Sequence, residues 1–275
     1  MTILTEVIIL LITGAAVGFA SGMLGVGGCF IMVPVQYWIL QKLGVDPTIA
    51  IRVAFGTNLM VVLPTSISGA ITHNRKGAVR WKQGILLGIS AFAGSFLGAY
   101  IASKTPGAVL TKVFGIAVVL GAIRMATAKP MKQEKEIVDN VWTYIICGVL
   151  LGIVSGIIGI GGGVLMVPVM VLALRFKMHE AIGTSMVMMA FSALGGAISY
   201  MVNGLGIAGL PPYSTGYVNW VQFGALAATS IPFAAIGSLV SHKVPAKQLK
   251  LLFAIVFLYM GLKMIGVFQW LHLPI

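Results

Sequence analysis

Long apolar stretches separated by short polar segments run through the whole chain. Seven of them are about 20 residues or longer, the length at which an α-helix crosses a bilayer core of roughly 30 Å. The pattern therefore predicts transmembrane helices and not a barrel. The stretches are residues 3–22, 47–72, 83–103, 107–127, 181–201, 218–240 and 247–269.

A glycine-rich phrase follows the first stretch and returns in the second half. Residues 22–34 are GMLGVGGCFIMVP, and residues 156–168 are GIIGIGGGVLMVP. Each glycine lowers helix stability by roughly 1 kcal/mol relative to alanine, so both segments predict a broken helix. Broken backbone at membrane depth is tolerated only where it is buried in protein or lines a cavity. The two phrases are therefore the first candidates for a functional site.

The repeat extends over nearly the whole chain. Nine of seventeen positions are identical between residues 18–34 and 152–168, at an offset of 134. Further along, GTN at 56–58 matches GTS at 183–185 at an offset of 127, and Trp81 matches Trp220 at an offset of 139. A tandem duplication explains these matches.

The duplication predicts the domain organisation. Residues 1–128 are expected to form one repeat unit and residues 141–275 the other, with 129–140 as a cytoplasmic linker. Each unit is predicted to be a glycine-broken helical pair followed by three transmembrane helices. The broken pairs are residues 3–22 with 28–41, and 141–156 with 162–174.

Loop charge distinguishes two topologies. If each broken pair makes one net crossing, the repeats are parallel and the 18 Lys and Arg residues divide evenly between the two sides. If each pair returns to its own side, the repeats are inverted and one side receives thirteen. Cytoplasmic loops carry the excess of Lys and Arg, so the uneven split favours hairpins, inverted repeats and periplasmic termini. The thirteen are Arg75, Lys76, Arg80, Lys82, Arg124, Lys129, Lys132, Lys135, Arg175, Lys177, Lys243, Lys247 and Lys250.

Composition supports an all-α polytopic membrane protein. Hydrophobic residues make up 59% of the chain, charged residues 9%, and the mean hydropathy is +1.03. The net charge of +12 is spread through short loops, which indicates topology signals and no nucleic-acid surface. The scattered histidines and cysteines predict no metal site, cofactor or disulfide framework, and no nucleophile–base pair indicates an enzyme. The histidines are His73, His179, His242 and His272, and the cysteines are Cys29 and Cys147. We expect His73 to close a cytoplasmic helix end.

The doubled glycine phrase, with the GTN and GTS triplets downstream, closely resembles the TauE/SafE family of sulfite and organosulfonate exporters. The resemblance covers both halves of the chain. It implies a multi-pass permease of the bacterial inner membrane that moves small sulfur-containing or organic anions such as sulfite, sulfoacetate or related sulfonates. One departure is Cys29, which stands where the second copy has Gly163.

The breaks themselves favour anions. Each leaves the N-terminus of its second arm inside the protein, with up to four unpaired N–H groups and the positive end of a helix dipole. Inverted repeats are expected to bring two such ends together near the bilayer centre, as transporters often do. Tight helix packing is the competing explanation for the glycines. The predicted site residues here are Gly25, Gly27, Gly28, Cys29, Gly159, Gly161, Gly162 and Gly163.

Polar side chains at similar depth complete the predicted site. Thr57 and Asn58 lie about ten residues into their helix, and Thr184 and Ser185 are their repeat mates. These four residues could bind a ligand or form hydrogen bonds between helices, and the sequence favours neither role. Arg52 matches the fork of a sulfonate or carboxylate, and snorkelling to the interface is the alternative.

Together these features predict an anion exporter that works by alternating access. All six carboxylates lie at helix ends or in loops, and an inside-negative potential favours outward movement of an anion. An importer coupled to H⁺ or Na⁺ is the first alternative, because unwound carbonyls also bind cations. A non-transporting membrane assembly protein is the second. The expected partners are a small anion and the lipid bilayer, and a homodimer is left open.

Overall fold

Ten helices and one small β-ribbon make up the part of the chain described by the computed structural model, residues 3–25, 29–127, 140–241 and 246–267. Seven of these helices are long and apolar enough to cross a membrane, by length and composition. The predicted all-α polytopic class is thereby confirmed. The elements are α1 (Ile3–Leu24), α2 (Cys29–Lys42), α3 (Pro47–Asn74), α4 (Trp81–Lys104), α5 (Gly107–Thr127), α6 (Val141–Ile158), α7 (Gly163–Leu172), α8 (Met178–Gly204), β1 (Ser214–Thr215), β2 (Val218–Asn219), α9 (Trp220–Val240) and α10 (Ala246–Ile265).

The order of elements in the first half recurs in the second. Both α1–α5 and α6–α10 consist of a long helix, a short helix and three long helices. The short helices α2 and α7 have 14 and 10 residues, about 21 and 15 Å at helical rise, and do not reach across a bilayer core. The predicted linker lies outside the described residues except for Asn140, which caps α6. The boundaries of the two units stay predictions.

Close contacts at glycines show how the helices are oriented. A Cβ added at Gly152 would collide with the backbone of Ala91, and one at Gly88 would lie 2.6 Å from the Phe191 ring. Along these contacts residue numbers rise together, so α4 is parallel to both α6 and α8. Both helices therefore start on the same side, and the α6–α7 pair returns to the side on which it began. The facing positions are 87 with 148 and 99 with 156 in α4 and α6, and 84 with 184 and 92 with 195 in α4 and α8.

The first pair has the same form. Helix α9 is parallel to α1, with Leu226 facing Gly14 and Ala234 facing Gly22. It is also parallel to α3, because Thr57 contacts Asn219 and Thr65 contacts Ser230. Helices α1 and α3 consequently begin on one side, and α1–α2 is a hairpin.

Helices α3 and α8, which correspond to each other in the two halves, are antiparallel and largely buried. The Phe55 and Tyr200 rings lie 6.4 Å apart between centroids. Toward the other end, a Cβ at Gly69 would lie 2.9 Å from the Met186 sulfur. Opposed directions of corresponding helices are the geometry expected of inverted repeats. The side of the membrane that each end faces stays a prediction.

A two-stranded antiparallel ribbon follows α8, in the glycine- and proline-containing segment before α9. Ser214 pairs with Asn219, and Tyr213 adopts φ +60° at the entry to the ribbon. The ribbon packs the backbone carbonyl of Tyr217 against Gly56 of α3. At the equivalent place in the other half, the carbonyl of Ala78 packs against Gly183 of α8. Gly56 and Gly183 thus allow close approach of backbone.

Candidate functional site

Three left-handed glycines form the second break. Gly159 ends α6 with φ +67°, and its N–H donates to the Ser155 carbonyl. Gly161 and Gly162 have φ values of +72° and +89°, and Gly162 is the N-cap of α7, whose first residue is Gly163. Residues with a Cβ rarely adopt these conformations, so the glycines are required by the turn itself. The turn places the start of α7 inside the protein.

The first break begins in the same way. Gly25 also has φ +67°, and its N–H donates to the Ser21 carbonyl at 2.8 Å. Gly27 and Gly28 lie outside the described residues. Cys29 is the first residue of α2, and its place in the predicted site stays a prediction.

Side chains from the opposite half approach the carbonyls at which the first arms end. The Asn58 side-chain amide donates to the carbonyl of Gly159. In the repeat-related position, the Ser185 hydroxyl oxygen lies 3.5 Å from the carbonyl oxygen of Gly25. The Ser185 contact is the weaker one because that hydroxyl donates to the Ile182 carbonyl at 2.8 Å. Two predicted site residues, Asn58 and Ser185, are thus placed at the breaks as structural partners.

One turn earlier, each first arm is held by the end of its own half's central helix. His73 Nε2 lies 3.0 Å from the Gly22 carbonyl oxygen, and the Tyr200 hydroxyl donates to the Gly156 carbonyl at 3.1 Å. Both side chains are fully buried. The sequence predicts that His73 closes a helix end, and its contact in the structure is with the end of α1. In the sequence, the repeat offset of 127 pairs His73 with Tyr200, and this pairing could have indicated a shared structural role.

Thr57 and Thr184 accept hydrogen bonds from the starts of neighbouring helices. Thr57 Oγ1 accepts the backbone N–H of Asn219 at 2.9 Å, and Thr184 Oγ1 accepts that of Arg80 at 3.1 Å. Asn219 and Arg80 are the N-cap residues of α9 and α4. The sequence left open whether these residues bind a ligand or form hydrogen bonds between helices. The structure contains the hydrogen bonds between helices.

Arg52 is held by two other segments of the protein. Its guanidinium donates to the Tyr217 hydroxyl at 3.0 Å and to the Thr105 carbonyl at 2.9 Å. The guanidinium carbon also lies 5.7 Å from the centre of the Tyr217 ring. Arg52 therefore ties α3 to the ribbon and to the α4–α5 connection. The predicted role of Arg52 in attracting an anion stays a prediction.

An ion pair that the sequence did not predict lies at the other end of the helices. Arg80 and Glu180 are 2.9 Å apart, with their side chains 38% and 19% exposed. The contact joins the start of α4 to the start of α8. Its partial exposure limits the pair to a modest contribution to stability.

A cavity of about 320 Å³ lies beside the second break. Phe30 from the start of α2 and Gly162 from the start of α7 both line it, so the two second arms begin at one space. The Ser155 hydroxyl, the one lining side chain with a polar group, is bonded to that of Ser192 at 2.9 Å. The rest of the wall is apolar: Val113, Ile116, Ala117, Leu120, Val154, Ile158 and Ile160.

The ends of the first arms, by contrast, lie at different depths. Along α3, Asn58 contacts Gly159 and His73 contacts Gly22. These positions are fifteen residues apart, about 22 Å at helical rise. Each first arm thus extends past the other, whereas Phe30 and Gly162 at the starts of the second arms line one cavity.

Gln36 is a further polar residue that the sequence analysis missed. It lies in the middle of α2, is fully buried, and neither its amide nitrogen nor its amide oxygen has a hydrogen-bond partner. Its repeat mate, Met170, is apolar and also fully buried. In the portion of the chain that the structure covers, His, Cys, Asp and Glu form no group of three or more able to hold a metal ion.

Comparison with known proteins agrees with this architecture. Residues 10–264 match the family described as Sulfite exporter TauE/SafE. The chain is 30% identical over 260 residues to a probable membrane transporter protein of Methanocaldococcus jannaschii, MJ0441, covering 94% of both chains. It is 27% identical over 282 residues to YunE of Bacillus subtilis, also a probable membrane transporter protein, covering 95% of this chain and 99% of YunE. No solved structure matches it. The chain therefore belongs to the TauE/SafE family, and it is a membrane transporter and not an enzyme.

Proposed function

We propose that this transporter exports small sulfur-containing or organic anions, such as sulfite, sulfoacetate or related sulfonates. The anion would bind where α2 and α7 begin, close to Gly28, Cys29, Gly162 and Gly163. The two hairpins would then rock around it to open the site alternately to each side. The family match supports sulfite and its relatives as the first substrates to test.

The preference for an anion rests on one observation. At each break, the carbonyl end of the first arm and the N–H end of the second arm differ in their hydrogen-bond partners. The C-terminal carbonyls of the first arms have side-chain neighbours: His73 at Gly22, Tyr200 at Gly156 and Asn58 at Gly159. The first N–H groups of the second arms have no acceptor within their own helix, as in every α-helix. Phe30 and Gly162, at the starts of α2 and α7, line the cavity, so the positive ends of these helices would attract an anion there.

The same observation weighs against the cation-coupled alternative. A Na⁺ ion at the breaks would need free carbonyl oxygens, whereas the carbonyls of Gly22, Gly156 and Gly159 accept hydrogen bonds from protein side chains. Outward movement of an anion needs no such ion, because an inside-negative potential contributes about 2.3 kcal/mol per charge for each 100 mV.

We also propose that the chain lies in the bacterial inner membrane with both termini in the periplasm. The side that would carry thirteen basic residues then faces the cytoplasm, as the distribution of Lys and Arg in membrane proteins requires. This side includes Arg75 and Arg80, which lie at the same end of α3 and α4.

Proteoliposomes loaded with radiolabelled sulfite test the function directly. We expect efflux that follows an imposed potential and needs no cation gradient. Uptake that depends on a Na⁺ or H⁺ gradient would establish the importer instead. Absence of flux for sulfite, sulfoacetate and simple carboxylates would exclude the proposal.

A cavity-filling variant tests the location of the site. Ala117 of α5 lines the cavity, whereas Ala108 on the same helix is exposed and lies outside it. Ala117→Phe is expected to reduce flux strongly, and Ala108→Phe is expected to leave it unchanged. Equal flux in both variants would place the binding site elsewhere.

A further inference from the structure

Gln36 lies in the middle of α2 and is fully buried. Among the described residues, neither its amide nitrogen Nε2 nor its amide oxygen Oε1 has a hydrogen-bond partner. On folding, such an amide loses its hydrogen bonds to water without replacing them, and this loss lowers stability. Polar groups inside a membrane protein are therefore rare without a function, and a bound ligand is one means of satisfying this amide.

A second unpaired amide borders the same packed region. Met32 lies one turn before Gln36 and packs in one hydrophobic cluster with Leu226 of α9. Gln222 lies one turn before Leu226, is 1% exposed, and its Oε1 has no hydrogen-bond partner in the part of the chain that the structure describes. Residues three or four positions apart share one face of a helix. Both glutamines therefore lie beside the cluster in which α2 meets α9.

The second half packs the corresponding region without a buried amide from its short helix. The repeat mate of Gln36 is Met170, which is fully buried in α7. The mates of Met32 and Leu226 are Met166 and Leu87, which are also fully buried. Methionine thus fills this position in one copy of the fold. Packing alone does not require the amide of Gln36 in the other copy.

We propose that Gln36 and Gln222 form a binding position for transported anions that carry an O–H or N–H group. This inference rests on the proposed function, because it names the class of anion. Nε2 of Gln36 donates a hydrogen bond to a sulfonate or sulfite oxygen, and the O–H or N–H group of the same anion donates to an amide oxygen of Gln36 or Gln222. An anion without such a donor leaves both amide oxygens unpaired.

The position lies on the helix that begins at the cavity. Phe30, in the first turn of α2, lines the cavity, and Gln36 follows six residues later, about 9 Å along the helix. Side chains of a helix lean toward its N-terminus, so the amide of Gln36 lies nearer to the cavity than this rise indicates. Gln36 is fully buried, so the position is closed in this conformation. An anion reaches it when α2 moves, as in the proposed rocking of the hairpins.

Flux of two matched sulfonates in proteoliposomes tests the inference. The anions 2-hydroxyethanesulfonate and ethanesulfonate have the same charge and differ by one hydroxyl group. We expect wild type to transport the hydroxylated anion about tenfold faster at low concentration, the size of one hydrogen bond to a buried group. Gln36→Met, which copies Met170, should reduce this preference to near one. Gln41→Met is the matched control, because Gln41 is exposed near the end of the same helix, and it should keep the wild-type preference.

Thermal unfolding separates ligand binding from a structural role. Without an anion, Gln36→Met should have a Tm equal to or above that of wild type, because it removes a buried amide that has no partner. Addition of 2-hydroxyethanesulfonate should raise the Tm of wild type and of Gln41→Met but not that of Gln36→Met. A lower Tm or a failure to fold in Gln36→Met would show that the amide holds a structural bond, including one to a buried water, and would overturn the inference.

The remaining outcomes distinguish this inference from the proposed function. Equal preference in wild type and Gln36→Met would overturn the binding position and leave anion export intact. If wild type transports neither sulfonate, export of this class fails, and the shift in Tm becomes the deciding measurement. A shift in wild type that Gln36→Met lacks would then support the binding position, and no shift in wild type would refute it.

Discussion

Replacing Thr57 by valine separates a structural role for this residue from a role in binding the anion. Valine keeps the shape of the side chain but removes the hydroxyl that accepts the Asn219 N–H at 2.9 Å. Asn219 is only 4% exposed, so water does not easily replace the lost acceptor. We therefore expect Thr57→Val to destabilise the protein without abolishing transport by the molecules that remain folded.

The repeat provides a matched comparison for the magnitude. A buried N–H left without a partner lowers stability by about 1–3 kcal/mol. In Thr184→Val the orphaned N–H belongs to Arg80, whose side chain is 38% exposed, so water can reach this end of α4. Thr184→Val should consequently lower stability by less than Thr57→Val, by about 1 kcal/mol or below.

Thermal unfolding in detergent measures the difference. For a chain of this size, each kcal/mol shifts Tm by about 2–4 °C, so Thr57→Val should unfold roughly 2–12 °C below wild type. Thr57→Ser keeps the acceptor and is the control, with a Tm close to wild type. Sulfite flux per folded molecule should be similar in all four proteins.

Two results would refute this reasoning. One is a Thr57→Val protein with wild-type Tm, which would mean that the bond to Asn219 contributes nothing measurable. The other is wild-type Tm together with loss of sulfite flux, which would show that the Thr57 hydroxyl contacts the substrate after all.

Three further changes test the breaks and their supports. Gly159→Ala should prevent stable folding, because φ is +67° and the new Cβ would lie 2.6 Å from Phe55, whereas Gly224→Ala, with nothing within 4 Å, should leave Tm unchanged or slightly raised. Asn58→Ser copies its repeat mate and should retain much of the stability and flux. Asn58→Asp cannot donate to the Gly159 carbonyl and should lose both stability, measured by expression, and flux. Arg52→Lys should lower the free energy of unfolding by about 1–3 kcal/mol, and so lower Tm, because lysine cannot reproduce two bonds in a fork. An unchanged Tm would show that the fork is dispensable.

The helices and their breaks were largely readable from local chemistry. Residues 28–41 and 162–174 were predicted as the second arms, and the structure has Cys29–Lys42 and Gly163–Leu172. Glycines in the left-handed region and a run of apolar residues act within a few positions of each other. The pattern along the chain therefore carries this information without knowledge of the fold.

The partners of the polar side chains were not readable in this way. Arg52 was expected to meet a ligand or the interface, and the sequence did not indicate its bond to Tyr217, 165 positions away. His73 was expected to close a helix end, but the sequence did not indicate that this end is that of α1. Nothing near these residues in the sequence distinguishes a carbonyl of another helix from a substrate oxygen, because both accept the same hydrogen bond.

The sequence by itself therefore determined the class of protein, the duplication and the positions of the breaks, which depend on hydrophobic length and backbone conformation. Only the tertiary structure decided that Thr57 and Asn58 face protein donors and acceptors, and that Phe30 and Gly162 line one cavity. These contacts join the two halves of the chain. They arise where elements of one half pack against elements of the other, and distance in space between such segments is not a function of their spacing in sequence.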